Sequence, residues 1–394
     1  MDGTRYILAG RLIDGSGNDV RRNVFLAVQG AIITAIGPVA ALPGDDGAVV
    51  DDFMHCTLLP ALVDCSVSLS RSSSVDKRVQ SATREAGIDG NGAMLERHIR
   101  YCHGHGVLGV ADSGDISGLI KYPHEGITQG SGVGIRTSGP LCLSSSDCLV
   151  ENPPDRDFLK IGYSGNIEDE TAAGSRLSHE QLRHILQQRG GKKVVVVANG
   201  PQPVAEALEA GCHAIEQGYL MGKDNLRKMA DNNILWIPSI LRAKNALDGS
   251  GTGGEVCCRF SLRYVAPGKA VPGDEVFWKK MVADQLAQLR FAGELGVTTA
   301  VGTGAGSAGI LHGESMAEEM KLFLKAGYSM EETVRCASKN GAEFFGMEVP
   351  GPLAVGRNAT FLIVRGTVKQ LPRKLSYLEG IYINGLPSTT YRKM

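Results

Sequence analysis

From residue 58 onward the chain repeats one unit, a short run of buried-strand character followed by a helix-length amphipathic stretch. Parallel βα units need that alternation, because each strand is covered on both faces and each crossover must carry the chain back across the sheet. Eight runs fit, at residues 58–64, 107–112, 132–137, 158–163, 193–198, 214–217, 234–238 and 297–302. Eight such strands close a (β/α)8 barrel. An open doubly wound sheet would carry a Gly-x-Gly-x-x-Gly turn after its first strand, and none follows residue 64. Ser178-His179-Glu180-Gln181 has capping-box spacing and predicts a helix start, and residues 202–210 predict the helix before the sixth strand.

The segments on either side read differently. Residues 5–9, 23–28 and 31–36 are short strands separated by Asp14-Gly15-Ser16-Gly17 and Gln29-Gly30 turns, which predicts a small antiparallel sheet. Strand character returns at 359–364 and 380–385, so the two termini are expected to share one sheet. Residues 241–273 contain Asp248-Gly249-Ser250-Gly251-Thr252-Gly253-Gly254 and are too long and Gly-rich for an ordinary βα connection. Two readings stand for them: a lid over the barrel mouth, or a surface insertion without a role.

Composition limits the function classes. A chain of 394 residues with 43% hydrophobic and 21% charged residues can build a large core, which excludes disorder. Lys+Arg 41 against Asp+Glu 42 leaves no basic surplus for a phosphate backbone, so no nucleic-acid partner is expected. The polar start and the lack of any apolar run near the roughly 18 residues of a span predict no membrane association and a cytoplasmic protein. Nine Cys without a Cys-x-x-Cys predict reduced thiols rather than a disulfide framework or zinc ribbon.

Reacting groups of a parallel barrel come from the carboxyl ends of its strands. There, Leu58-Leu59-Pro60-Ala61-Leu62-Val63-Asp64 resembles the first-strand motif of the metal-dependent amidohydrolases. Ala198-Asn199-Gly200-Pro201 with Ala207-Leu208-Glu209-Ala210-Gly211 is similar to their fifth strand and following helix. Ala214-Ile215-Glu216-Gln217-Gly218-Tyr219 resembles the sixth-strand motif, and Val301-Gly302-Thr303-Gly304-Ala305-Gly306 the eighth. His312-Gly313-Glu314 and Gly351-Pro352-Leu353-Ala354-Val355-Gly356-Arg357-Asn358-Ala359 complete a pattern similar to the imidazolonepropionase and prolidase branch. The resemblance spans nearly the whole chain. It implies a barrel at 58–349 flanked by a composite β-sandwich of residues 1–57 and 350–394, and hydrolysis of C–N bonds in amides, cyclic amides or dipeptides. It also implies one or two divalent metals such as zinc, which lower the pKa of a water and polarise a carbonyl.

The chain departs from that pattern at the metal ligands. Ser66 and Ser68 stand where the first strand should end Asp-x-His-x-His, Val197 and Gln217 where the fifth and sixth strands should carry His, and Gly304 where the eighth should carry Asp. Only Lys160, the lysine that binuclear members carboxylate, keeps the family residue. Hydroxyls are poor transition-metal ligands, so no metal and no other cofactor is expected. Lys160 is then either a desolvated amine acting as base or Schiff-base nucleophile, or a cation paired with Asp64 or Glu216. Asp64, Tyr163, Asn199, Tyr219, Ser239 and His312 are the remaining pocket candidates, with Gln217 giving a neutral, hydrogen-bonding rim suited to a polar small molecule. His312 is expected to be exposed in its loop, and His103-Gly104-His105 to be a solvated pair at a helix end rather than a relocated metal site. Cys65 is expected to pack rather than react.

Three functions fit these residues. One is a metal-free pseudoenzyme that binds a polar small molecule or a protein partner. Another is an active hydrolase using metal-independent or relocated-metal chemistry around Lys160. The third is a structural subunit. A homo-oligomer is compatible with all three.

Overall fold

The computed structural model describes residues 3–44, 47–85, 87–113, 132–149, 156–164, 177–250, 274–348 and 351–389. Both termini contribute to one seven-stranded sheet, ordered β14-β13-β12-β4-β1-β2-β3. Its strands are β1 (Arg5–Leu12), β2 (Arg21–Gln29), β3 (Ile32–Pro38), β4 (Val49–Pro60), β12 (Phe361–Arg365), β13 (Leu378–Ile383) and β14 (Leu386–Pro387). The expected sharing of a sheet by the two termini is therefore observed. The sheet is not wholly antiparallel, because β1 and β4 run parallel. Their register shifts between Ala9 and Arg11, where Gly10 lies against the Met54 carbonyl and any β-carbon would collide with it. One face buries Ile7, Leu26, Leu58, Phe361 and Tyr382, with the last two rings stacked at 4.8 Å.

Seven parallel strands follow: β5 (Leu62–Val67), β6 (Val107–Asp112), β7 (Gly134–Thr137), β8 (Leu159–Gly162), β9 (Val194–Ala198), β10 (Ala214–Gln217) and β11 (Leu235–Ile237). They form two sheets, β5-β6-β7 and β11-β10-β9-β8. Asp157 N–H donates to the Thr137 carbonyl at 2.8 Å between β7 and β8. Residues 298–305 run between β11 and β5: Trp236 N–H donates to Thr298 O, Cys65 N–H to Val301 O and Gly304 N–H to Ser66 O, each at 2.9 Å. The whole is a TIM-barrel-like α/β fold with a sheet-rich extra domain.

Strand alternation sorts the side chains. Val195, Leu235, Ile237 and Ala300 gather on one side with Phe158, while Ile161, Val196, Ile215 and Trp236 pack in the other cluster with helical residues such as Leu182, Val204 and Leu226. The Ser178 capping box is present, with Gln181 returning the hydrogen bond. No helix among the described residues is long and apolar enough to cross a membrane.

Three expectations shift. The run at 58–64 divides: residues 58–60 finish β4, paired with β12, and the first barrel-type strand is β5. The run at 297–302 forms no strand, only the isolated bridge Trp236↔Thr299. Residues 241–250 are helical, within the helix Ile240–Ser250, because Glu319, fully buried, accepts from Ile240 N–H at 2.9 Å and Leu241 N–H at 2.6 Å and so satisfies its start. The rest of the Gly-rich stretch, 251–273, lies outside the described residues.

Candidate functional site

Strands β5, β8 and β10 bring three ionisable side chains, Asp64, Lys160 and Glu216, into the interior. Lys160 on β8 reaches Glu216 on β10, Nζ to Oε2 at 2.7 Å, and both side chains are almost fully buried. Lys160 Nζ also donates to Ser113 Oγ at 3.1 Å, one residue past β6. Ser66 on β5 donates its hydroxyl to the other oxygen of Glu216 at 2.9 Å. Of the two partners open to Lys160, the ion pair forms with Glu216.

Asp64 has other partners. Thr303 donates to it twice, from Oγ1 at 2.5 Å and from its N–H at 2.9 Å, and Ser66 N–H adds a third bond at 3.2 Å. Burial pushes its carboxyl up to about 6, with the charge of Glu216 adding to the rise and the Thr303 and Ser66 bonds opposing it.

The next turn outward is neutral. Gln217 Oε1 accepts from Asn199 Nδ2 at 2.7 Å, and Asn199 Oδ1 accepts from Tyr219 N–H at 3.0 Å. The Tyr219 hydroxyl donates to the Ser239 carbonyl at 2.6 Å. Gln217 and Ser239 both sit at positive φ, 69° and 45°. The Ser239 hydroxyl is buried with no hydrogen-bond partner among the described residues. Gly304 has φ 74°, and a β-carbon there would lie 3.0 Å from Arg242 Cδ, so the arginine stem fills the space beside it. Val197 is buried and offers only its carbonyl, which accepts from Tyr163 N–H at 3.0 Å.

The other candidates lie elsewhere. The Tyr163 hydroxyl donates to Glu206 Oε2 at 2.5 Å, in the helix Pro201–Glu209. Ser68 presents its carbonyl to His312 Nε2 at 3.0 Å. His312 is not exposed: it is 2% accessible and stacks on His98 at 3.8 Å between ring centroids. Burial, and then the neighbouring His98, pull its pKa down to about 3. Both rings border a cleft of about 560 Å³ also lined by Ser73, Arg97, Tyr101 and Glu314. His103 is likewise buried, 2.9 Å from Ser388 Oγ, because the C-terminal segment covers it. Cys65 packs against Gly341 and Val63, and burial raises its thiol pKa.

Ser113, Thr303, Glu319 and Arg242 escaped the sequence reading. Ser113 and Thr303 could have been found by the strand-end rule applied to the second and eighth strands. Glu319 and Arg242 carry no local signal. Among the described residues, no three His, Cys, Asp or Glu side chains are placed to hold a metal.

The sequence profile of the amidohydrolase family matches residues 167–386. No curated protein matches. Among solved structures, a Xaa-Pro dipeptidase with methionine bound in its active site superimposes with a TM-score of 0.76 at 19% identity, over 98% of this chain and 99% of that one. Ochratoxinase from A. niger gives 0.76 at 18% identity, over 98% and 95%. Molinate hydrolase gives 0.74 at 14%, over 99% and 95%.

Proposed function

Because the chain belongs to the amidohydrolase family, we propose that it is a member that has kept the scaffold and given up the metal centre, a pseudoenzyme whose strand-end site binds a polar small molecule. In this reading β5 to β11 and the 298–305 segment close as a (β/α)8 barrel within residues 58–349, beginning at β5. Residues 1–57 and 350–394 form the composite β-sandwich beside it.

One observation carries the proposal. Lys160 Nζ lies 2.7 Å from Glu216 Oε2 and donates to Ser113 Oγ at 3.1 Å, while Ser66 spends its hydroxyl on the same carboxylate. These contacts occupy the Lys160 nitrogen with protein partners rather than with a metal-bridging group. The donor set does not fit a divalent cation either. The positions in question offer two serines, a valine, a glycine and a glutamine amide already bonded to Asn199. The ion pair supplies internally the positive charge that Glu216 requires.

The neutral ring of Asn199, Gln217, Tyr219 and Ser239 supports a polar, uncharged or zwitterionic ligand of amino-acid or small-amide size. The methionine in the active site of the Xaa-Pro dipeptidase is a ligand of that class.

Elemental analysis of the purified protein, with calorimetric titration of amino acids, dipeptides and cyclic amides, tests this. The expected result is no stoichiometric zinc, manganese or iron and saturable binding without turnover. One equivalent of metal that survives dialysis and is lost in Ser66→Ala would overturn it. So would release of an amine by metal-stripped protein, abolished in Lys160→Met, which would establish metal-free hydrolysis instead. Reverting Ser66, Ser68, Val197 and Gln217 to His and Gly304 to Asp should create metal affinity if the five positions are the family's ligand positions.

A further inference from the structure

The cleft of about 560 Å³ beside the stacked histidines is bounded by the loop after β5, the helix Gly87–Gly104 and the segment around His312. Two successive backbone carbonyls fix both rings. His98 Nδ1 meets the Leu69 carbonyl at 2.8 Å, and His312 Nε2 meets the Ser68 carbonyl at 3.0 Å. A carbonyl can only accept, so each of those nitrogens carries its proton and donates. In a neutral ring the other nitrogen is then an acceptor. Ser73 Oγ stands 3.4 Å from the one on His312, Nδ1.

The corresponding atom of His98 has no such neighbour. His98 is only 7% accessible, yet no hydrogen bond among the described residues reaches its Nε2, and that nitrogen is not sealed from the cleft that the residue lines. Burial, with the charge of Arg97 adding to it, holds the His98 pKa below its usual range against the Leu69 hydrogen bond, so the lone pair stays open. A nearly buried acceptor of this kind is completed by a donor from outside the chain.

The rest of the cleft says what can carry that donor. Val75, Val79, Met94 and Leu311 give it apolar walls, and Tyr101, 50% exposed, presents its ring there. A thioether and a phenol ring both favour contact with an aromatic body. Arg97, exposed on the same lining, makes no hydrogen bond or ion pair among the described residues, whereas Glu314, the acidic member of the lining, is already engaged. We propose that this cleft is a second ligand site, one that takes a small aromatic carboxylic acid carrying an N–H or O–H: the donor bonds His98 Nε2, the carboxylate pairs with Arg97, and the ring lies against Met94, Val79 and Tyr101. The volume falls within the roughly 300–1,000 Å³ of small-molecule sites. The inference does not depend on what the strand-end ring of Asn199, Gln217 and Tyr219 binds.

Calorimetric titration of the full chain with indole-3-acetate tests it, beside 1-methylindole-3-acetate, which lacks the N–H, and indole-3-acetamide, which lacks the charge. The parent should bind indole-3-acetate saturably at millimolar concentration or below. The N-methyl acid should bind about tenfold more weakly, the effect of one lost hydrogen bond, and the amide a few-fold more weakly. His98→Asn keeps an amide N–H for the Leu69 carbonyl but has nothing at the Nε2 position, so it should bind indole-3-acetate and its N-methyl form alike. Arg97→Met should likewise bring the acid and the amide together. Tyr219→Phe, in the strand-end ring, should leave all three affinities as they are. No saturable binding by the parent, equal affinity there for the acid and its N-methyl form, discrimination that survives in His98→Asn, or a loss in Tyr219→Phe equal to that in His98→Asn would overturn the assignment. The comparison of the three probes on the parent needs no variant to fold.

Discussion

Removing the ammonium from the Lys160–Glu216 pair is the sharpest test of the site. Lys160→Met keeps most of the side-chain volume, so no large cavity opens, and the change isolates the charge. Glu216, 2% exposed in its side chain, would be left with Ser66 as its one hydrogen-bond donor among the described residues. Stranding a buried partner of this kind costs about 3–5 kcal/mol. Glu216→Leu strands the ammonium instead, with Ser113 alone beside it, and should cost a similar amount. The double variant removes both charges and the desolvation that accompanied them, so it should return to within about 1 kcal/mol of the parent or exceed it. The resulting coupling energy is several kcal/mol, far above the additivity error of about 0.5 kcal/mol. Urea denaturation with two probes measures it, provided the transitions coincide. Single variants that each cost under about 1 kcal/mol, with an additive double variant, would refute a dry, paired site.

Asp64 gives a pH signature of opposite sign to an ordinary paired carboxylate. Its folded pKa of about 6 lies above the unfolded 3.8, so its contribution is full below pH 3.8 and is lost as pH rises through 6, a fall of about 3 kcal/mol. Comparison of Asp64→Asn with the parent at pH 4 and pH 7 isolates the change, and parallel stability curves would count against it. His312, with a pKa of about 3, should stay neutral at pH 5 by nitrogen NMR, and a titration midpoint near 6.5 would contradict its burial against His98. Ser239→Ala removes a buried hydroxyl with no partner among the described residues and should stabilise the protein by about 1 kcal/mol, read as a higher urea midpoint. A lower midpoint would mean that the hydroxyl is bonded.

How far the sequence reveals this site depends on the range of the contact. Strand runs and their ends are local, so Gln217 and Asn199 could be singled out by counting from buried runs, and Lys160 and Asp64 by the resemblance of short local motifs to the family. The choice of partner is not local. Glu216 wins Lys160 because Thr303 already holds Asp64 through two donors, and Thr303 lies 239 residues from Asp64. The same limit hid His103 and His312. Each looks like a loop or helix-end histidine until Ser388 or His98 arrives from a distant segment. The division of residues 58–64 between two sheets was also illegible, since an apolar run carries no mark of where it leaves one hydrogen-bonding partner for another.

Backbone strain bears on whether the site still binds anything. Gln217 at φ 69° and Ser239 at φ 45° sit at the ends of adjacent strands, in a region that costs of order 1–3 kcal/mol per non-glycine residue. Packing holds them there. Trp236 Nε1 and Gln285 Nε2 both donate to the Gln217 carbonyl, at 3.0 and 2.6 Å, and Gln285 Nε2 also reaches the Pro238 carbonyl at 3.0 Å. Tyr219 fixes the Ser239 carbonyl in turn. A subunit with a purely structural role would gain stability by relaxing these turns or by replacing Ser239 with a residue lacking the idle hydroxyl. The strain and the hydroxyl without a partner among the described residues occur together at the strand ends, beside the neutral ring of Asn199 and Tyr219. That coincidence favours a site that exchanges the cost of its geometry for contacts with a ligand.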